Sequence, residues 1–306
     1  TVDDPHSTQV IGIQDVLSRG AELYKKESHN QETLDKFGHG TPDDWLEHNV
    51  YSKFSWQGVA LMLIIDVLLF GAIGLTVWAV QMLWIPITAA GIINGIGHYW
   101  GYRNYDCEDA SRNIFPWGIL IGGEELHNNH HTFATSAKLS NKWYEFDIGW
   151  MYIQIMSAVG LATVKKTPPK PVLSDLRPAD QNTLEAIIAN RYEIMARYSK
   201  TLRSFFSNEV QHMQVLASHL GDARTWLAKD ESRLTEQEKL KLEELMASNA
   251  QLRKMIEMRR ELQAIWSRSS ATKEQLLSQL HAWCQHAEES GLTSLREFSL
   301  RLRRYA

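Results

Sequence analysis

"SWQGVALMLIIDVLLFGAIGLTVWAVQMLWIPITAAGIINGIG", Ser55 to Gly97, contains one ionisable side chain, Asp66, in a run otherwise rich in Leu, Ile, Val, Ala and Gly. A helix needs about 20 apolar residues to cross a bilayer, so the stretch is long enough for two crossings. Polar Gln81 and helix-starting Pro86, with Trp78 and Trp84 beside them, place a tight turn at one interface. The reading is a transmembrane helical hairpin, about residues 59–79 out and 86–102 back. The expected turn has no Lys or Arg, whereas Lys53, Arg103, Arg112, Lys138, Lys142, Lys165 and Lys166 flank the other ends. By the positive-inside rule, both ends of the chain then face the cytoplasm, as in a multi-pass integral membrane protein. The mean hydropathy of −0.31 would suit a soluble protein, but a very polar C-terminal half dilutes it.

The rest of the chain follows from composition and local signals. At 306 residues there is room for two domains. A net charge of −4 gives no reason to expect a nucleic-acid partner. Cys107 and Cys284 stand far apart, which argues against disulfides and thiolate metal sites, so imidazole and carboxylate must supply any metal ligands. Before the apolar run, Thr41 and Pro42 followed by Asp43 and Asp44 read as a helix start. After it, Ile148–Val164 is apolar but short for a span, which fits an interfacial or core helix. "TPPKP" then opens a Pro-rich linker, residues 167–181, separating a first domain, 1–166, from a cytosolic helical domain, 182–306. There Leu242, Leu245, Leu252, Ile256, Leu262 and Trp266 recur near helical spacing. Thr235 with Glu238 and Ser294 with Glu297 read as capping boxes, and Gly291 as a helix stop. The fold class is all-α: a transmembrane hairpin with cytosolic histidine-bearing helices, followed by a helical bundle.

Chemistry concentrates in "GGEELHNNHHTF", Gly122 to Phe133. On a helix, His127 lies i, i+3 from His130 and i, i+4 from His131, so the three rings share a face and invite a metal ion. Near the end of the returning apolar helix, Asn94 and His98 stand one turn apart, where a cytosolic His cluster could reach them. Four imidazoles suit iron, zinc, copper or nickel. Placement beside a membrane hairpin favours iron, because unactivated C–H bonds of a lipid chain yield to metal-centred oxidation and not to side-chain acids.

These residues resemble the integral-membrane fatty acid desaturases of the Δ9 type. "HNNHHTF" is similar to that family's third histidine box, H-x-x-H-H, "NGIGHYWGYRNYD" to its N-x-x-x-H-x-x-G-Y-R-x-Y-D segment, and "TVDDPHS" to the segment after its second box. The resemblance covers about residues 1–166. It implies that His98, His127, His130 and His131 ligate a diiron site and that Asn94 hydrogen-bonds a metal-bound water. It also implies an acyl-CoA or acyl-lipid substrate, O2, membrane lipid, and a ferredoxin-like or cytochrome electron donor with its reductase. The family's first and second boxes do not occur, and His6, His29, His39 and His48 lack the spacing to replace them. The expectation is a C-terminal portion of a desaturase, inactive alone. Residues 224–306 resemble the helical C-terminal segment of ISL3-type transposases, implying a helical appendage for self-association or docking.

Three other readings stay open at this level. Glu124-x-x-His127 and Glu209-x-x-His212 have the spacing of soluble ferritin-like diiron bundles. Membrane histidine-box hydroxylases use similar clusters, and a non-enzymatic membrane-anchored interaction module would need no metal. Asp66, mid-span, must be neutral or paired.

Overall fold

A computed structural model describes residues 8, 10–40, 43–212, 223–267 and 271–306. Thr41, Pro42 and the "TVDDPHS" segment lie outside these residues. The chain is mostly helical, as expected. It divides into two compact units: Thr1–Arg103 with Asp109–Lys165, and Asn104–Glu108 with Lys166–Ala306.

In the first unit, α1 (Ile13–Glu27) and α2 (Gln31–Phe37) precede α3 (Ser55–Phe70) and α4 (Ile73–Ile85). From α4 the helix runs on, through a π-helical stretch, Pro86–Gly95, and a 3-10 turn, Ile96–His98. The expected helix limits of 59–79 and 86–102 therefore shift. The reversal falls at Gly71, whose φ of 62° only glycine adopts without strain, and not near Gln81. Pro86 does not end the helix. It lacks an N–H and its ring crowds the carbonyl four residues back, and here the helix widens to a π register while the Thr88 hydroxyl donates to the Trp84 carbonyl at 2.5 Å. Ile73–His98 is then the one helix, among the described residues, long and apolar enough to cross a membrane; Trp56–Phe70 is apolar but shorter.

The α3–α4 pair is close. A Cβ on Gly74 would fall 2.1 Å from the Asp66 carbonyl oxygen, so glycine is what lets the two backbones meet. The Trp78 indole donates to the Val59 carbonyl at 3.1 Å across the same pair. Asp66 is buried here, and its Oδ2 has no hydrogen-bond partner among the described residues. The outer faces are apolar and exposed: Trp56 at 82%, Leu68 at 79% and Ile73 at 71%. An apolar surface of this extent marks a membrane or partner contact and not a water-facing wall.

Beyond His98 the chain becomes a tight, hydrogen-bonded loop structure. Two short parallel strands, β1 (Trp117–Gly118) and β2 (Phe146–Asp147), pair directly. Between them lies the six-residue helix α5 (His127–Thr132), and α6 (Ile148–Ala158) follows β2. α6 has no buried residue, which fits the interfacial one of the two expectations for this segment.

The second unit comprises α7 (Gln181–Ala189), α8 (Arg191–His212), α9 (Ala223–Trp226), α10 (Glu236–Ser248), α11 (Ala250–Ser267), α12 (Lys273–Glu289) and α13 (Thr293–Leu302). Leu242, Leu245, Leu252, Ile256 and Leu262 are all buried in its core, and Trp266 packs against it. Two buried aromatic polar groups bond to α11: Tyr198 to the Met255 carbonyl at 2.6 Å and Trp283 to that of Met258 at 2.7 Å. Arg259, also buried, donates to the carbonyls of Leu227 and Lys229. The Thr235–Glu238 capping box forms, and Gly291, φ 74°, follows α12 as a stop. Ser294 with Glu297 does not cap: α13 begins at Thr293 with Leu292 at the cap position. A second box, Thr272 with Gln275, opens α12 instead.

Candidate metal centre

Two rings of the cluster, His127 and His131, and the one from the apolar helix meet. His98 Nε2 stands 3.0 Å from His127 Nε2, and the ligand nitrogens of His98, His127 and His131 all lie within 4.8 Å of one another. Imidazole nitrogens bind a metal at about 2.0–2.1 Å, which puts the nitrogens of neighbouring ligands about 3 Å apart. The His98–His127 spacing fits that geometry. Ring centroids are 4.9 Å apart for His98 and His127, 5.0 Å for His98 and His131, and 4.3 Å for His127 and His131. His130 stands at the edge, 6.2 Å from His127 and 5.7 Å from His131, with a buried Nδ1 that has no hydrogen-bond partner among the described residues. Asn94 lies in the π-helical stretch and His98 in the 3-10 turn, so the α-helical spacing expected to align them is not the one present.

Local sequence explains why these rings converge. Gly97 gives no Cβ, and one placed there would lie 3.2 Å from His127 Cδ2, so the imidazole packs on the bare backbone of the helix end. The Arg112 N–H donates to the Gly97 carbonyl at 2.7 Å, and Tyr102 and Asn113 exchange two backbone bonds. Gly101, at φ 129°, allows that approach, since a Cβ would fall 2.2 Å from the Asn113 carbonyl oxygen. Asn113 then reaches α5: its Nδ2 donates to Asn129 Oδ1 and its Oδ1 accepts the Asn129 N–H, both at 3.1 Å.

Three carboxylates fix the surrounding loops. Buried Glu125 accepts the N–H groups of Leu120 at 2.7 Å, Ile121 at 3.0 Å and Gly123 at 3.3 Å. Glu145 accepts from Asn129 Nδ2 at 2.8 Å, from the N–H of Asn141 and Lys142, and from the Tyr102 hydroxyl at 2.8 Å. Burial, and then that carboxylate, push the Tyr102 phenol far above its ordinary value. Asp147 caps α6 through Trp150 and takes the Leu139 and Ser140 N–H groups on its other oxygen.

Two acids touch the histidines themselves. Glu124 Oε2 lies 3.7 Å from His127 Nδ1, an ion-pair distance and not a hydrogen bond; that contact lowers the Glu124 carboxyl, against its burial. Burial dominates at His127 and lowers its pKa, favouring the neutral imidazole that binds metals. Asp109 Oδ2 meets His131 Nδ1 at 2.6 Å. Its burial alone would raise its pKa, but the bonds to His131 and Ser111 hold it well below the usual carboxylate range. Sequence reading missed Asp109, Asn113 and Glu145. "RNYDCEDASRN" offers several acids, and only the fold says which one meets a histidine 22 positions later.

The donor set fits a metal ion: three imidazoles from two stretches, His98 from one and His127 and His131 from α5, with convergent nitrogens, and a fourth ring beside them whose buried Nδ1 has no partner among the described residues. The two E-x-x-H pairs of the ferritin-like reading fall in different units, and the His212 side chain lies outside the described residues; Glu209 accepts from Asn249 at 3.3 Å.

Curated proteins give the context. The chain is 32% identical over 150 residues to the sn-1 stearoyl-lipid 9-desaturase of Anabaena variabilis, covering 48% of this chain and 53% of that protein. It is 32% identical over 139 residues to Delta-9 acyl-lipid desaturase 1 of Arabidopsis thaliana, covering 44% and 46%. To the sn-2 palmitoyl-lipid 9-desaturase of Nostoc sp. (strain 36) it is 42% identical over 79 residues, 26% and 28% of the two chains. The chain thus spans about half the length, or less, of these relatives. No solved structure matches. The ISL3 DDE transposase family model, described as Transposase, matches residues 181–306, more of the second unit than residues 224–306 alone. The chain is therefore desaturase-like over about half its length and transposase-like over residues 181–306.

Proposed function

We propose that the first unit supplies part of the metal centre of an O2-dependent acyl-lipid desaturase that introduces a cis double bond at Δ9. The convergence of His98 with His127 and His131, 29 and 33 positions apart in sequence, is the observation that carries this reading. The names of the relatives, stearoyl-lipid, palmitoyl-lipid and acyl-lipid desaturases, favour a lipid-borne chain over acyl-CoA.

In this reading His98, His127, His130 and His131 hold iron as neutral imidazoles, and Asn94 positions water at the site. Iron bound there would let O2 act as the oxidant, two hydrogens from the unactivated chain and two electrons from a ferredoxin-like or cytochrome donor, with two protons, reducing it to two waters. The exposed apolar faces of α3 and of Ile73–His98 sit in the bilayer and bring His98 to its cytoplasmic surface, where an acyl chain can enter from the lipid. Burial of His127 and the loop network around α5 keep the rings preorganised. Four imidazoles are too few for two irons, so further ligands come from another segment, and this chain alone binds at most one iron and is inactive. Metal analysis and fatty-acid profiling of cells expressing the chain test this together. One weakly held iron per chain and an unchanged lipid profile are expected; no bound iron would count against the metal-site reading, two tightly held irons would overturn the ligand count, and a hydroxylated product would point to the hydroxylase reading.

A further inference from the structure

We propose that Asp109 is a positioning residue for the metal site, fixing the His131 ring as the Nδ1–H tautomer so that its Nε2 lone pair faces His98 and His127. The inference rests on the metal-site reading above and assigns a role to a residue outside the histidine cluster.

The geometry is specific. His131 Nδ1 lies 2.6 Å from Asp109 Oδ2, and a carboxylate can only accept, so this nitrogen is the donor; in the neutral ring the other nitrogen then keeps its lone pair. The carboxylate is itself held. Its Oδ1 accepts the Ser111 N–H at 2.9 Å, and Arg103 donates to the Asp109 carbonyl at 2.8 Å. Both groups are about 30% exposed, so without this bond water would compete for Nδ1 and the ring could turn or take its other tautomer. A carboxylate behind a ligating imidazole fixes its orientation and raises its basicity, and losing such a partner costs about 10–100-fold in metal affinity. At His127, Nδ1 has no hydrogen-bond partner among the described residues, and Glu124 Oε2 stands 3.7 Å from it. The alignment of His131 is thus built in before any metal arrives.

The test uses the full chain in detergent, cobalt(II) as the probe with its visible absorption as readout, and nitrogen NMR of the histidine rings without metal. In the parent, His131 is expected as the Nδ1–H tautomer. Asp109→Asn keeps an acceptor oxygen without charge, so the tautomer should persist while cobalt affinity falls about tenfold. Asp109→Ala should mix the tautomers and lose about 100-fold. An unchanged tautomer in Asp109→Ala would overturn the proposal. So would an Asp109→Asn chain that binds cobalt as tightly as the parent. If Asp109→Ala loses helical circular dichroism, Asp109→Asn carries the decision. The tautomer needs no metal, so it decides the role of Asp109 even in a parent that takes up no cobalt, an outcome that counts instead against the metal-site reading.

Discussion

A single missing methyl shapes the histidine cluster. Gly97 lies at the helix end where the His127 ring packs, and a Cβ there would come within 3.2, 3.5 and 3.6 Å of three His127 carbons. Replacing a helical glycine by alanine ordinarily stabilises by about 0.5–1 kcal/mol, while overpacking costs about 1–3 kcal/mol. For Gly97→Ala the cost outweighs the gain by about 0–2.5 kcal/mol, and the ring moves by a few tenths of an ångström. The expected outcome is a modestly lowered unfolding midpoint and cobalt(II) affinity lower by about five- to tenfold, in line with about 1 kcal/mol of misplacement. Titration of the two proteins under one denaturant series and one cobalt series checks both halves. At this scale the sequence was informative about which rings cluster, because three imidazoles within five positions at helical spacing share a face. It was silent about Asp109 and Gly97, whose roles exist only through contacts with residues far along the chain.

Among the elements, α6 shows how one acid serves two structures. Asp147 accepts the Trp150 N–H as the N-cap of α6, and its other oxygen takes the Leu139 and Ser140 N–H groups of the preceding loop. Removing it deletes a cap, about 1 kcal/mol, and strands two backbone donors in a buried place. Asp147→Ala should therefore lower stability by about 2–4 kcal/mol, read from urea or thermal denaturation of the first unit's signals; Asp147→Asn should retain part of it. The local code was legible for the second unit's Thr235–Glu238 box, where both partners lie within four residues. The same pattern at Ser294 and Glu297 misled because α13 already begins at Thr293, with Leu292 at the cap position, so Ser294 lies inside the first turn. The hairpin turn moved for a similar reason. A reversal between two packed helices needs a residue free to adopt positive φ, and Gly71 is that residue, while Pro86 was absorbed by a change of helix type.

At the scale of whole units, acid response separates the parts. In the second unit Asp230 and Glu238 both have pKa values held below the ordinary range. Burial would raise each, but Asp230 is outweighed by Ser232 and Gln263, and Glu238 by Lys229 and the Thr235 cap. A carboxylate whose folded pKa is depressed contributes stability that is complete above its unfolded value, about 3.9 for Asp and 4.3 for Glu, and lost as pH falls through the folded value. The second unit should then hold constant stability from neutrality to about pH 5 and lose it progressively below about pH 4, with Glu238→Gln flattening that loss. Thermal unfolding across this pH range checks the slope; a midpoint independent of pH below 4 would contradict it.

What the sequence determined by itself was every feature written in neighbouring residues. These are the apolar run, the helical class, the histidines at helical spacing, and the heptad-like stripe from Leu242 to Leu262 that became a core. Such features follow from hydrophobic periodicity and local hydrogen bonding, which act over a few residues. Only the tertiary structure decided that His98 meets His127 and His131, that Asp109 stands behind His131, and that Asn113 and Glu145 tie α5 to its loops. Those pairings depend on where the chain turns and which backbones touch at glycine, and periodicity carries no information about either.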